Sequence, residues 1–283
     1  MRDAENMGTP LNHSNPALAG LVGLCLTPAF PPRQYECESH SVFIAMDKGR
    51  SIGDARFMTE ASLTINIEDD LARVGVMPAQ QSRSRTLRDR LIQESLEIAR
   101  KVPFDDVSII DICAAAQCST GAFYSRFPDK ITLFKAVMVF AAAESGPLLE
   151  NIVRDEAFED ILPKLVSAQV DRYLSQQTFF RSAFKVSLDS EQAWEPFRRN
   201  SQNLASAYID RVLAAPEIDQ TGVNEERIRF AFQIMYGVLN NTLSNRPGPF
   251  FLESREFSQL LKESLVATMN LPIRGSGAGS SAP

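Results

Sequence analysis

The sequence predicts an all-α chain, a three-helix helix-turn-helix domain followed by a larger helical domain. Three observations carry that prediction. From Arg85 to Met269 the apolar residues recur three and four positions apart, whereas only Leu63-Thr-Ile-Asn-Ile67 alternates as a strand does. Short polar side chains stand where helix starts need caps, at Ser108, Ser119 and Asp129. Prolines and glycines interrupt the pattern at Pro103, Pro128, Pro216, Gly222 and the Arg246-Pro-Gly-Pro249 stretch, which divides it into separate helices.

The N-terminal part, residues 1–80, mixes Pro, Gly, Ser and Asn with scattered apolar residues, and it reads as a disordered extension. Its apolar run Ala17 to Leu26 is too short to span a bilayer, and the acidic residues Asp3 and Glu5 before it do not suit a signal peptide. Translation starting later, at Met46, Met58 or Met77, is an equally good account of this region. The last residues, 273–283, read as a flexible tail rich in Gly and Ser.

Composition limits the function classes. With 283 residues and 44% hydrophobic content the chain can bury a large core. Its formal net charge of -6 argues against nucleic-acid binding by the whole surface. Residues 81–135 stand apart, with nine Lys/Arg against seven Asp/Glu, a weakly basic segment in an acidic protein. Both histidines, His13 and His40, precede residue 41, so the helical part lacks the commonest general base and metal ligand. Cys25, Cys37, Cys113 and Cys118 show no zinc-type spacing and no secreted disulfide framework; a reducing cytoplasm fits, and no metal or cofactor is expected.

The helices follow in order. Leu87, Leu91, Ile92, Leu96, Ile98, Ala99 and Val102 draw a helical stripe over Arg85 to Val102, which Pro103 ends. Ser108 and Asp111 have the form of a capping box opening a short helix to about Ala116. Ser119 caps the next one, and Asp129, after Pro128, caps a longer helix beginning at Lys130. Only Gln117 and Cys118 separate the second helix from the third, which is helix-turn-helix spacing. Phe123 and Phe127, four apart, share a face and are expected to pack on Ile112, Leu91 and Leu133. Cys113 and Cys118 read as buried thiols.

The stretch from Leu91 to Leu133, LIQESLEIARKVPFDDVSIIDICAAAQCSTGAFYSRFPDKITL, resembles the DNA-binding domain of the TetR/AcrR family of bacterial repressors. Its STGAFYSRFPDK portion carries most of the likeness. Pro103 and Gln117 stand where that family usually has glycine, and Ala99 where it favours a large aromatic. The resemblance implies that residues 81–135 bind double-stranded DNA through Arg85, Ser119, Thr120, Gly121, Ala122, Tyr124, Ser125, Arg126 and Lys130. Small residues in the first turn let a helix end approach base edges, while the hydroxyls and cations suit phosphates. A solvated helix start and a solvated charged face, including Arg83, Arg88 and Arg90, account for the same residues without DNA.

The helix from Lys130 runs through Leu133, Phe134, Val137, Met138 and Phe140 and is expected to stop at Ser145-Gly-Pro147. Further helical patterns are centred on 160–176, 178–190, 192–214, 224–244 and 253–270, so that 136–272 forms the second domain. Nine of the twelve residues in Ile228 to Leu239 are apolar, too many for one stripe, so this helix is expected to be covered on two sides. With the Phe257, Leu260, Leu261, Leu265 and Met269 stripe it suggests a homodimer through 224–244 and 253–270, against the alternative of a large monomeric core. Tyr173, Phe180, Phe184, Trp194 and Tyr208 are candidates for a small-molecule pocket and equally for ordinary core. The resemblance implies a ligand-responsive repressor acting in the cytoplasm on a palindromic operator. A helical interaction protein that keeps the scaffold without binding DNA is the second reading, and an enzyme ranks behind both.

Overall fold

The computed structural model describes residues 66–78 and 82–274. The described residues form ten α-helices: α1 Ile67–Arg73, α2 Ser82–Ala99, α3 Ile109–Ala115, α4 Thr120–Tyr124, α5 Lys130–Asp155, α6 Phe158–Ser175, α7 Gln177–Asp189, α8 Glu191–Ala214, α9 Glu225–Asn245 and α10 Arg255–Met269. There is no strand among them, only an isolated bridge between Ile218 and Ile273. The all-α expectation holds.

Three starts follow the caps read from the sequence. The Ser108 Oγ accepts from the Asp111 amide while the Asp111 carboxylate accepts from the Ser108 amide and hydroxyl, a complete capping box. Those bonds hold the Asp111 carboxyl below the usual carboxylate range. Ser119 accepts from the Ala122 amide, and Asp129 accepts from the Thr132 amide. Orphan amides at helix starts are thereby satisfied within the motif itself.

The turn between α3 and α4 is closed in the left-handed region. Gln117 has φ 50, the Cys118 amide donates to the Cys113 carbonyl and the Gln117 amide to that of Ala114. This pair of bonds is a Schellman motif, which normally places glycine at the position Gln117 holds. The fold therefore carries a side chain where backbone sterics disfavour one.

Residues 66–78 differ from the disordered extension expected for 1–80, and residues 63–65 of the alternating stretch lie outside the described residues. Asn66 caps α1, and Leu71, Val74 and Val76 are buried in the core. Two long-range ion pairs explain the order. Arg88 on α2 grips the Glu68 carboxylate with both Nη atoms at 2.8 Å, and Arg199 on α8 pairs with Asp70 deep in the protein. Neither partner is near in sequence, so composition alone misjudges the segment.

Two further boundaries differ. Ser145-Gly-Pro147 lies inside α5, which continues to Asp155. Proline removes one amide from the ladder, but the packing of α8 on this stretch outweighs that loss: Asn200 donates through Nδ2 to the Ala142 carbonyl, and a Cβ on Gly146 would stand 3.0 Å from Asn200 Oδ1. At the tail, Ile273 and Arg274 are tied rather than loose, because Asp219 N donates to Pro272 O and Arg274 N to Glu217 O, both at 2.8 Å.

α5 is the central element. It is long and apolar enough to cross a bilayer, but much of its apolar surface packs against α1, α2, α6, α7 and α8. α9 packs on α10 and α8 and completes the second domain. Rings connect the two domains: Phe104, in a 3-10 turn after α2, lies 4.3 Å from Phe134 on α5, which lies 6.0 Å from Phe179 on α7.

Candidate functional site

α4 has five residues, too few for an isolated helix, so tertiary anchors must hold it. Phe123 and Phe127 supply them: both are fully buried, with centroids 5.8 Å apart, and belong to the same core cluster as Leu91, Ile112 and Leu133. Each buried ring contributes about 2–3 kcal/mol on area grounds. With that face fixed, Ser119, Thr120, Gly121, Tyr124 and Ser125 are exposed and Ala122 is half-buried.

Gly121 is informative because the fold does not require it. A Cβ there would meet nothing closer than Ser119 Oγ at 3.9 Å, and the residue is not in the left-handed region. Glycine in a helix costs about 0.5–1 kcal/mol relative to alanine. The missing side chain leaves room only on the outside. Tyr124 is 52% exposed with its ring edge-on to Phe123, so its hydroxyl is presented outward from a supported ring.

The charged candidates fare differently. Arg126 donates through Nη1 to the Ala122 carbonyl and Ser125 Oγ, and through Nε to the Ser84 carbonyl, so it fastens the end of α4 to the start of α2. Ser125 also donates to the Ala122 carbonyl. Lys130 donates through Nζ to the carbonyls of Phe104, Asp105 and Val107 at 3.1, 3.0 and 2.9 Å, which occupies all three of its ammonium protons. In this structure it clamps the turn before α3, whereas the sequence suggests a phosphate contact. Arg88 is likewise buried against Glu68, whose carboxyl it holds below the usual range. Arg85 is exposed on the first turn of α2, next to the Ser84 that Arg126 binds, and so lies at the edge of the α4 face.

Both cysteines of the turn are free thiols. Cys113 is buried and Cys118 half-buried; burial, then its neighbour, pushes the Cys113 thiol up to about 11.

The second domain holds a cavity of about 860 Å³, partly open to solvent and lined by α5, α6, α7, α8 and α9. Of the aromatic candidates, Tyr173, Phe180 and Trp194 line it. Phe184 and Tyr208 do not: Phe184 sits behind Trp194 at 5.2 Å, and Tyr208 packs between Phe158 and Phe232. Period alone cannot distinguish the ring that faces a void from the ring one turn away.

Sequence reasoning missed the polar wall. Arg172, Gln233, Tyr236 and Asn240 line the cavity, on α6 and α9. The fully buried Gln169 accepts from Arg172 Nε at 3.1 Å and donates through Nε2 to the Tyr236 hydroxyl at 2.6 Å. Tyr173 donates to Asn240 Oδ1 at 2.6 Å. Burial keeps the Tyr236 phenol protonated, with its pKa pushed up to about 12. The available signal was Gln233, Tyr236 and Asn240 recurring three and four apart through a mostly apolar helix.

Comparison with known proteins bears on the fold. Residues 91–137 match the sequence model of the family described as bacterial regulatory proteins, tetR family. A protein from Mesorhizobium loti assigned to TetR-family transcriptional regulators superposes with TM-score 0.53 at 20% identity, over 67% of this chain and 98% of that one. A TetR-family transcriptional regulator from Cytophaga hutchinsonii gives TM-score 0.50 at 17% identity, over 68% of this chain and 97% of the other. No curated protein sequence matches the chain significantly.

Proposed function

We propose that this chain, which carries the helix-turn-helix segment of TetR-family regulators, is a homodimeric, sequence-specific DNA-binding transcriptional regulator. In this reading α4 enters the major groove, and a small molecule in the 860 Å³ cavity releases a repressor from a palindromic operator in the cytoplasm. One observation carries the DNA reading. The first turn of α4 is stripped of side chains at Gly121, where the interior has no use for the space, and it is flanked by the outward Tyr124. A recognition helix needs that close approach.

Dimerisation is supported by the outer surface of the second domain. Val238 on α9 and Leu260 and Val266 on α10 are exposed apolar side chains on two helices already packed together. A five-residue helix reads few bases, and a two-fold axis doubles them at a spacing of about one DNA turn. Coupling to the cavity has a packed route: Phe180 on its wall touches Phe179, which packs on Phe134 and thence on Phe104. Ser182 of α7 also accepts from the Phe104 amide at 3.2 Å. A ligand shifts DNA affinity only as far as it prefers the non-binding conformation.

Selection of bound duplexes from a random pool tests this reading. The expected result is a palindrome, with affinity falling steeply as salt rises. Gly121→Ala is expected to stabilise the fold slightly while weakening operator binding about tenfold or more, and Tyr124→Phe to weaken all duplexes alike. Failure to bind any duplex at low salt refutes the regulator reading, and sedimentation showing only monomer at micromolar concentration refutes the dimer.

A further inference from the structure

The α6/α9 end of the cavity offers donors from Arg172, Tyr236 and Asn240, beside the Gln233 amide, which can donate or accept. Arg172 has no acceptor except Gln169 Oε1, which takes its Nε proton, and it forms no ion pair among the described residues. Its guanidinium lies instead over the Phe180 and Tyr173 rings, 5.0 and 5.6 Å from their centroids. That leaves its Nη protons for whatever fills the cavity. Because arginine only donates, Gln169 must present its oxygen to Arg172 and its amide nitrogen to Tyr236. The Tyr236 oxygen is then an acceptor toward Gln169, and its own proton is left to give.

Asn240 lies one turn beyond Tyr236 on α9. Its Oδ1 is taken by the Tyr173 hydroxyl, so its Nδ2 is a third donor on this wall. The buried Gln169 thus orients Arg172 and Tyr236 as donors, and no carboxylate stands beside them among the described residues that line the cavity.

The remaining charges do not supply one. Arg198 and Arg229, also on the cavity wall, are already paired with Glu195 and Glu225. The one carboxylate on the wall, Glu226, is ten residues before Tyr236 on the same helix, roughly 15 Å away at 1.5 Å per residue. The apolar part of the lining is Phe180, over whose ring Arg172 lies, with Trp194, Phe197 and Leu149, and it favours a flat or greasy body.

We infer that the cavity takes an apolar, ring-containing monocarboxylate, its carboxylate received by Arg172, Tyr236 and Asn240 and its body by the Phe180–Trp194–Phe197 wall. A planar two-oxygen acceptor matches the fork of a guanidinium. A single unpaired arginine offsets one negative charge, which favours a monoanion over a phosphate ester. This inference rests on the reading of the cavity as the effector site and specifies what occupies it.

Isothermal titration of the full chain with benzoate, 3-phenylpropanoate and 2-naphthoate, each against its primary amide, tests it. At least one carboxylate is expected to bind ten times more tightly than its amide. Arg172→Gln and Tyr236→Phe are each expected to weaken that carboxylate about tenfold or more while leaving the amide within about threefold, the range for hydrogen bonds to a charged group. Circular dichroism melts confirm that the variants fold, and Phe184→Leu, behind the wall, serves as a control that keeps the preference. No binding of any of the three carboxylates at millimolar concentration, or equal affinity for acid and amide, overturns the inference. Operator release by a neutral amide in preference to its acid overturns it too, while leaving the effector reading intact. A carboxylate that binds selectively yet leaves operator affinity unchanged upholds the ligand class and refutes the effector reading.

Discussion

Replacing Asp70 by Asn should be among the most damaging conservative substitutions in the protein. Asp70 is 3% exposed and pairs with Arg199, which is 8% exposed, across the contact between α1 and α8. The amide keeps the size and removes the charge, so the Arg199 guanidinium is left buried without a counter-charge. Its Nε already has no hydrogen-bond partner among the described residues, which adds to the cost. Breaking a buried pair from one side costs about 3–5 kcal/mol. The other partner of Asp70, Arg73 at 3.2 Å, is 57% exposed and is worth under about 1 kcal/mol, so it cannot make up the loss. At about 2–4 °C per kcal/mol for a fold of this size, Tm should drop by roughly 6–20 °C. Urea melts of Asp70→Asn, Arg199→Gln and the double variant measure the coupling, expected to exceed about 2 kcal/mol because the double variant removes both charges. A single-variant loss under about 1 kcal/mol, or strict additivity, refutes the claim that α1 is an integral part of the fold.

The remaining expectations concern the turn, the close helix contact and pH. Gln117→Gly should raise stability by about 0.5–1 kcal/mol, since relief of a left-handed side chain outweighs the added freedom of the unfolded glycine, and denaturant midpoints should rise with an unchanged slope. Gly146→Ala should lose about 1–3 kcal/mol in the same assay, because the new methyl group meets Asn200 where its Nδ2 holds the Ala142 carbonyl. The Cys113 thiol is held protonated by burial, its pKa raised from 9.0 to about 11. Its contribution is therefore complete below pH 9 and is lost as pH rises toward 11, because the unfolded chain gives up that proton first. Cys113→Ala should flatten the fall in stability between those values, and an unaltered slope assigns the fall to other groups.

Much of the fold follows from local information, and the sequence is most reliable where the determinants are a few residues apart. Ser108 with Asp111, Ser119 with Ala122 and Asp129 with Thr132 are three positions apart, so the caps and the helices they open are visible in the chain. Phe123 and Phe127 mark the buried face of α4 by spacing alone, which leaves Thr120, Gly121 and Tyr124 outward. The positive φ at the turn is legible too, and the surprise is that glutamine occupies it.

What only the tertiary structure decided depends on partners far away in the chain. Lys130 and Arg126 look like phosphate ligands in sequence, and carbonyls 23 to 42 residues away engage their donors. α1 is ordered by Arg88 and Arg199, 20 and 129 residues distant, and α5 runs through Pro147 because α8 packs against it. The cavity is the least local feature of all. Its rings are indistinguishable from core by period, and its donor wall exists only because α6 and α9 bring Gln169 between Arg172 and Tyr236, 67 residues from the latter. Caps and stripes are properties of one helix; whether a donor is occupied, and which ring faces a void, are properties of how helices meet.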